Sequence, residues 1–304
     1  MSLGTRPAFA AVPADSREAP DPWLVKLRDF IYQTAGIFQP DHKFRFLKER
    51  CGRRMAALNL QSFRQYHEYV SGPSRSTEVP LLLNEITVGE TCFFRNPPQL
   101  EALRKIALPK ILHAREKLAV KKLRIWSAGC STGEEPYTLA MMLLEDQTMQ
   151  AKGYDFEVMA TDLNERSIAA CQLGVYDNYA IRNTPPDYLK KYFTASKGRY
   201  ELAAEVKAKV KFQRVNLLED ARMLFLKGMD VIFCCNVLIY FDGASKQRVI
   251  SHFFNNLLEH GYLFLGHAES LYGISEAFQL VHFPSATGYV KASRSELLKQ
   301  AGKP

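Results

Sequence analysis

The chain has 304 residues, 47% apolar and 24% charged, a balance expected of a soluble globular fold with room for a large and a small domain. No apolar run reaches the roughly 18 residues that span a bilayer, and the first 20 residues lack the apolar core of a secretory signal. The net charge of +8 favours an acidic partner, nucleic acid or protein, without choosing between them.

Residues 1–20 read as a flexible leader. Helical periodicity begins over 23–35 and continues over 41–58. In the second stretch Phe44, Leu47, Cys51, Met55 and Leu58 share one face, and Arg45, Lys48, Arg50, Arg53 and Arg54 share the other. Asp41 suits an N-cap or first-turn position. Residues 62–71 and 78–86 continue the helical pattern, so 21–86 reads as a small all-α domain. A loop at 87–98, including Asn96-Pro97-Pro98, links it to a second and larger domain, and a helix is expected over 99–117.

Short apolar runs then alternate with helices. Strands are expected at 123–127, 156–161, 210–215, 229–234 and 262–266, and helices at 135–146, 165–173 and 246–258. A strand pair at 278–283 and 288–292 closes the series. Such alternation predicts a doubly wound, mostly parallel α/β sheet. Residues 192–211 break it with a short segment centred on Gly198, which reads as a hairpin insertion.

Six cysteines, with no C-x-x-C pair and no zinc-like spacing, read as reduced, mostly buried thiols, and no metal site is expected. The strongest local signal is IWSAGCSTGEEPY at 125–137, where a strand enters a loop with Gly129 and Gly133 and a helix opens near Pro136. Glycines there let the backbone approach a ligand closely, although a tight turn without ligand would use them too. Asp162 ends the second strand, where doubly wound folds bind ribose hydroxyls; it would also serve as a helix cap. Asn216 and Asn236 sit at two further carboxyl-terminal strand ends, the ligand side of such sheets. His267 could be a base or a structural histidine. The conjunction is more specific than any member.

These segments resemble the CheR-type chemoreceptor glutamate methyltransferases: ITVGETCFFR (86–95), IWSAGCSTGEEPY (125–137), ATDL (160–163), VNLLE (215–219), IFCCNVLIYF (232–241) and GHAE (266–269). The resemblance covers residues 23–291. It implies a small helical domain and a Rossmann-like S-adenosylmethionine-dependent methyltransferase domain over 99–292, with an antiparallel β subdomain near 192–211 and a tail at 293–304. It also implies methyl transfer to glutamate side chains of chemoreceptors, giving methyl esters and S-adenosylhomocysteine. Carried over by motif, the cofactor site would hold Gly89, Thr91, Arg95, Ala128, Gly129, Glu134, Asp162, Asn216, Leu217, Asn236 and Val237, and Arg95 and Tyr240 would be catalytic. Family members often carry Asn where this chain has Gly89. The hairpin is short, so docking of a receptor's C-terminal tether is not expected. Direct recognition of acidic methylation helices by the basic face from Arg45 to Arg54 is expected instead. A cytoplasmic monomer that neither inserts into membrane nor binds nucleic acid completes the expectation.

A glutamate carboxylate is ionised near neutral pH and needs no general base, so positioning and exclusion of water would suffice. Two rivals stay open. A nucleic-acid methyltransferase would suit the positive charge, but no aromatic–basic RNA module and no amino-methylation motif after the fourth strand is seen. A non-catalytic cofactor sensor could use the same fold.

Overall fold

The structure, a computed structural model, describes residues 20–291. The tail expected at 293–304, and all but Pro20 of the leader, lie outside the described residues. Asp21 starts the first helix, accepting the Trp23 N–H at 2.7 Å, with Pro22 at the first helical position. The helices are α1 (Pro22–Ala35), α2 (Phe44–Ala57), α3 (Phe63–Ser71) and α4 (Arg75–Ile86), packed around Leu27, Ile31, Leu47, Cys51, Tyr66, Val70 and Leu82. Asp41 begins a 3₁₀ turn ahead of α2 and accepts Arg28 at 3.0 Å, so it does not cap α2 itself.

Asn96 precedes α5 (Pro97–Ala102), so the two prolines expected in a loop open a helix, as proline's fixed φ allows. A π-helical stretch at Leu103–Ala107 leads into α6 (Leu108–Ala114). The remaining helices are α7 (Glu134–Leu144), α8 (Gln147–Ala151), α9 (Glu165–Leu173), α10 (Pro186–Tyr192), α11 (Ala204–Lys207), α12 (Asp220–Met223) and α13 (Gly243–Asn256).

The strands are β1 (Lys122–Ala128), β2 (Asp155–Asp162), β3 (Val175–Tyr176), β4 (Phe193–Ser196), β5 (Arg199–Leu202), β6 (Val210–Arg214), β7 (Met229–Cys234), β8 (Leu257–Leu265), β9 (Phe278–His282) and β10 (Thr287–Lys291). Seven of them form one sheet in the order β6-β2-β1-β7-β8-β10-β9. The first five are mutually parallel, and β10 and β9 add antiparallel at the end. The sheet is therefore mixed: a parallel doubly wound core with a closing antiparallel pair. Alternate residues of the central strands feed two layers. Ile125, Val231, Phe233 and Phe264 pack on one face, and Trp126, Ile232, Cys234 and Leu263 on the other.

The insertion is a separate three-stranded antiparallel sheet, β3-β5-β4. It is narrower than the expected 192–211, because residues 210–214 belong to the edge strand β6, and it recruits Val175–Tyr176 from after α9. All six cysteines are free, and five of them are buried. Among the described residues, no helix is long and apolar enough to cross a membrane.

Candidate cofactor-binding and active site

The parallel strands β2, β1 and β7 and the edge strand β6 end on one side of the sheet, and their connecting loops enclose a cavity of about 290 Å³. The loop after β1 folds back on its neighbour: the N–H groups of Gly129 and Cys130 both donate to the Thr161 carbonyl, at 2.8 and 2.9 Å. Gly129 and Gly133 take φ of +79° and +98°. A Cβ on Gly129 would stand 2.4 Å from Val237 Cγ2, so only glycine lets this loop lie against the loop after β7.

Asp162, at the tip of β2, accepts the Ser131 N–H on one oxygen and the Asn164 N–H on the other, both at 2.8 Å. Burial pushes its carboxyl up, and those backbone donors oppose the rise. Each oxygen keeps a lone pair for a ligand. Asn236 has φ of +63°, held there by Glu269, whose carboxylate accepts the N–H groups of Asn236 (2.7 Å), Val237 (2.9 Å) and Gly266 (2.8 Å).

Of the residues expected from sequence, Gly89, Thr91, Arg95, Gly129, Asp162, Asn216, Leu217, Asn236, Val237 and Tyr240 line the cavity. Ala128 and Glu134 lie behind it. Ala128 is fully buried within the sheet, and Glu134 is buried, accepting Thr132 Oγ1 at 2.7 Å. It is the neighbour, Glu135, that faces the cavity, where Ser127 Oγ donates to it at 2.7 Å and burial pushes its carboxyl up to about 7. Adjacent residues at a helix start point about 100° apart, so the pair of glutamates in the sequence did not tell which one turns inward. Asn216 lines the wall, but its amide is engaged: Nδ2 donates to the Thr34 carbonyl at 3.0 Å and Oδ1 accepts the Leu218 N–H at 3.1 Å.

Gly89 leaves a gap. A Cβ there would come within 2.8 Å of Ser131 Oγ, a buried hydroxyl without a partner that also lines the cavity. Arg95 is exposed at the opening and donates to the Glu90 carbonyl. Tyr240 is part-buried, its hydroxyl donating to the Val88 carbonyl at 3.4 Å, and burial raises its pKa. His267 is exposed and outside the cavity wall.

The basic face of α2 is less free than its sequence suggests. Arg54 forms a two-pronged pair with buried Glu78, at 2.8 and 2.9 Å, shared with Tyr66 Oη at 2.8 Å. Arg53 bonds Glu49 at 2.6 Å, and Arg50 and Arg53 both approach Glu85. Arg45 and Lys48 are exposed and carry no ion pair among the described residues.

A glycine loop after β1, an acid at the tip of β2 and a ligand cavity at the carboxyl ends of a parallel sheet define a nucleotide-cofactor enzyme of the Rossmann-like methyltransferase class. Family comparison gives the particular kind. Residues 89–287 match the model "CheR methyltransferase, SAM binding domain" and residues 24–87 match "CheR methyltransferase, all-alpha domain". The chain belongs to the CheR methyltransferase family and binds S-adenosylmethionine. Among curated proteins it is 36% identical to chemotaxis protein methyltransferase 2 of Vibrio cholerae, over 89% of this chain and 93% of the relative. It is 32% identical to the chemotaxis protein methyltransferase of Escherichia coli, over 84% and 86%. It is 31% identical to chemotaxis protein methyltransferase 1 of Pseudomonas aeruginosa, over 84% and 92%.

The residues present fit that cofactor. The loop accommodates a close backbone approach only as glycine at 129. Asp162 has acceptor capacity left for ribose hydroxyls, and among the described residues Ser131 Oγ lacks a partner and the buried Glu135 carboxyl has no cation bonded to it.

Proposed function

We propose that this enzyme transfers the methyl group of S-adenosylmethionine to glutamate side-chain carboxylates of chemoreceptors, giving methyl esters, and that it works as a cytoplasmic monomer. The observation that carries the choice of acceptor is the cavity wall itself. Among its described residues there is no histidine or lysine, and its thiols at Cys92, Cys130 and Cys235 are pushed up by burial and stay protonated. The one wall carboxyl raised to about 7, Glu135, is buried and held by Ser127 Oγ at 2.7 Å, and in this reading it balances the cofactor's charge; a carboxylate acceptor needs no base at all.

When bound, S-adenosylmethionine supplies a methyl on a positively charged sulfur, open to in-line attack. The chain's residues do the rest. Asp162 holds the ribose hydroxyls, the Gly129–Gly133 loop and Val237 shape the floor, and Glu135 balances the positive charge at the deep end. Gly89, Thr91, Asn216, Leu217 and Asn236 complete the pocket around it, with Ala128 and Glu134 supporting the loop from behind. Arg95, at the opening, holds the acceptor carboxylate, and Tyr240 orients it, the two fixing the approach along which effective molarity is gained.

In the hairpin, β4 and β5 have four residues each and turn at Lys197–Gly198. So short a hairpin supports direct docking of methylation helices over a C-terminal peptide tether, with the exposed Arg45 and Lys48 steering acidic helices.

The test is mass spectrometry of purified receptor cytoplasmic fragments after incubation with enzyme and cofactor. Glutamate methyl esters, lost in mild base, are expected. Methyl groups stable to base, or found on RNA added to the same reaction, would refute the reading.

A further inference from the structure

The cavity opens where its wall residues become exposed: Val88, Gly89, Glu90, Arg95 and Ile239. The lip around this opening has two unlike sides. On one, three exposed apolar residues from three segments meet Tyr240 through the backbone. Ile239 is its neighbour, Phe38 donates its N–H to the Tyr240 carbonyl at 2.9 Å, and Val88 accepts the Tyr240 hydroxyl at 3.4 Å. Ile239, Phe38 and Val88 are 52%, 47% and 49% exposed, an unusual concentration for solvated apolar groups. On the other side stand two guanidinium groups. Arg95 bonds the Glu90 carbonyl, and Arg182 stacks on Tyr179, 3.6 Å from its ring centre, while Tyr179 Oη donates to Glu90 at 3.0 Å. Glu90 is the carboxylate bonded on this side, and Asp177, earlier in the same segment, accepts the Ala180 N–H at 2.9 Å; Arg95 and Arg182 are the groups here that can donate to an incoming carboxylate.

An occupant matched to both sides presents an apolar stripe beside an acidic one, the pattern of an amphipathic helix. We infer that the lip is a reading surface for the acceptor: an acidic amphipathic helix seats apolar side chains on Phe38, Val88 and Ile239 and its carboxylates against Arg95 and Arg182, delivering one glutamate between them. This rests on the carboxyl-transfer reading above and adds to it the selection of which glutamate is modified. The lip is distinct from the α2 face: Arg45 and Lys48 steer from a distance, whereas the lip sets register. Apolar burial at three sites sets affinity, and the position of the acidic stripe sets which carboxylate falls into the opening.

The test is binding of a fluorescently labelled, purified helical receptor fragment to enzyme saturated with S-adenosylhomocysteine, read by anisotropy, beside steady-state methylation of the same fragment. Phe38→Ser and Ile239→Ser are each expected to weaken fragment binding and raise the acceptor KM about tenfold. In Phe38→Ser, which lies off the cofactor wall, affinity for S-adenosylhomocysteine by calorimetry should be unchanged. Leu224→Ser and Phe225→Ser serve as the comparison. Those residues are more exposed still but lie near Lys227, whose carbonyl bonds Arg124 in the first half of β1, toward the strand ends opposite the cavity. They should leave both readouts unchanged. Fragment binding within twofold of wild type in both lip variants, or an equal loss in the Leu224 and Phe225 variants, overturns the lip. Fragment that binds through the lip but acquires no base-labile methyl group sustains this inference and refutes the acceptor chemistry alone.

Discussion

Burial pushes the Glu135 carboxyl up, opposed by Ser127, Cys235 and Arg95 and reinforced by the negative charge of Glu269. Its folded-state value of about 7 lies above the ordinary 4.5. The stability it lends is therefore full below about 4.5 and is lost as pH rises through about 7, with a slope of roughly 1.4 kcal/mol per pH unit for one proton. Glu135→Gln should flatten the fall in Tm of the cofactor-free protein between pH 5 and 7.5. A residual slope will remain, because burial also raises Asp162 and Glu134. A positively charged cofactor should drive the Glu135 proton off, so calorimetry near pH 6.5 in two buffers of different ionisation enthalpy should show proton release in the wild type and less in the variant. Equal release would remove Glu135 from the site. At Gly129 the prediction is steric. Gly129→Ala must place a methyl 2.4 Å from Val237 at φ +79°, a strain of about 1–3 kcal/mol, and cofactor affinity should fall more than tenfold while the helical domain still folds. The importance of Gly129 was legible in the sequence, since few residues tolerate that turn. The inward glutamate was not, because the phase of α7 relative to the cavity is set by where the helix starts.

At the scale of elements, the loop after β7 depends on a residue 32 to 33 positions downstream. Glu269 gathers three N–H groups from the ends of two neighbouring strands and holds Asn236 in the left-handed region. Glu269→Gln offers one acceptor oxygen where two served, and sets an NH₂ against an N–H. Leaving a buried donor unmet costs about 1–3 kcal/mol. Because that loop is one wall of the pocket, calorimetry should show both S-adenosylmethionine and S-adenosylhomocysteine binding at least tenfold more weakly. An unchanged affinity with a lowered Tm would reduce Glu269 to a structural role. The GHAE motif marked this segment in the sequence, but its pairing across two strand ends is a tertiary fact that periodicity does not carry. Other elements show similar limits. The periodic apolar residues Phe253, Phe254 and Leu257 hide the point where α13 passes into β8, which starts at Leu257 with no intervening loop and bends at His260 (φ +62°). The hairpin was visible because Lys197–Gly198 breaks the pattern, whereas its third strand, two residues long, was not.

On the scale of the whole molecule, the helical domain is pinned to the loops that form the pocket. Tyr32 Oη donates to Asp242 at 2.9 Å, Ile37 bridges Phe241, and Asn216 reaches the end of α1. From α4, Asn84 accepts the Glu165 N–H at 2.9 Å, and Asn164 bonds Thr87 at 2.8 Å. A docking face on α2 therefore sits at a fixed place relative to Asp162 and Tyr240. The sequence showed five basic residues along that face as equals; the fold divides them. Arg54 is part of the core of the helical domain, its charge matched by Glu78, whereas Arg45 and Lys48 face solvent with no ion pair among the described residues. Removing one partner of a buried pair costs about 3–5 kcal/mol. Arg54→Ala should therefore lower Tm and reduce activity in proportion to the folded fraction, with the same KM for receptor in the protein that remains. Arg45→Glu with Lys48→Glu should leave Tm within a degree or two, since surface charges contribute little to stability, yet raise the acceptor KM several-fold at low ionic strength. The effect should shrink as salt rises toward 0.5 M, where the Debye length falls to a few ångströms. If the double reversal left KM and its salt dependence as in the wild type, acidic helices would have to arrive by another face. The two guanidinium groups at the cavity lip would then carry the long-range attraction as well as the register.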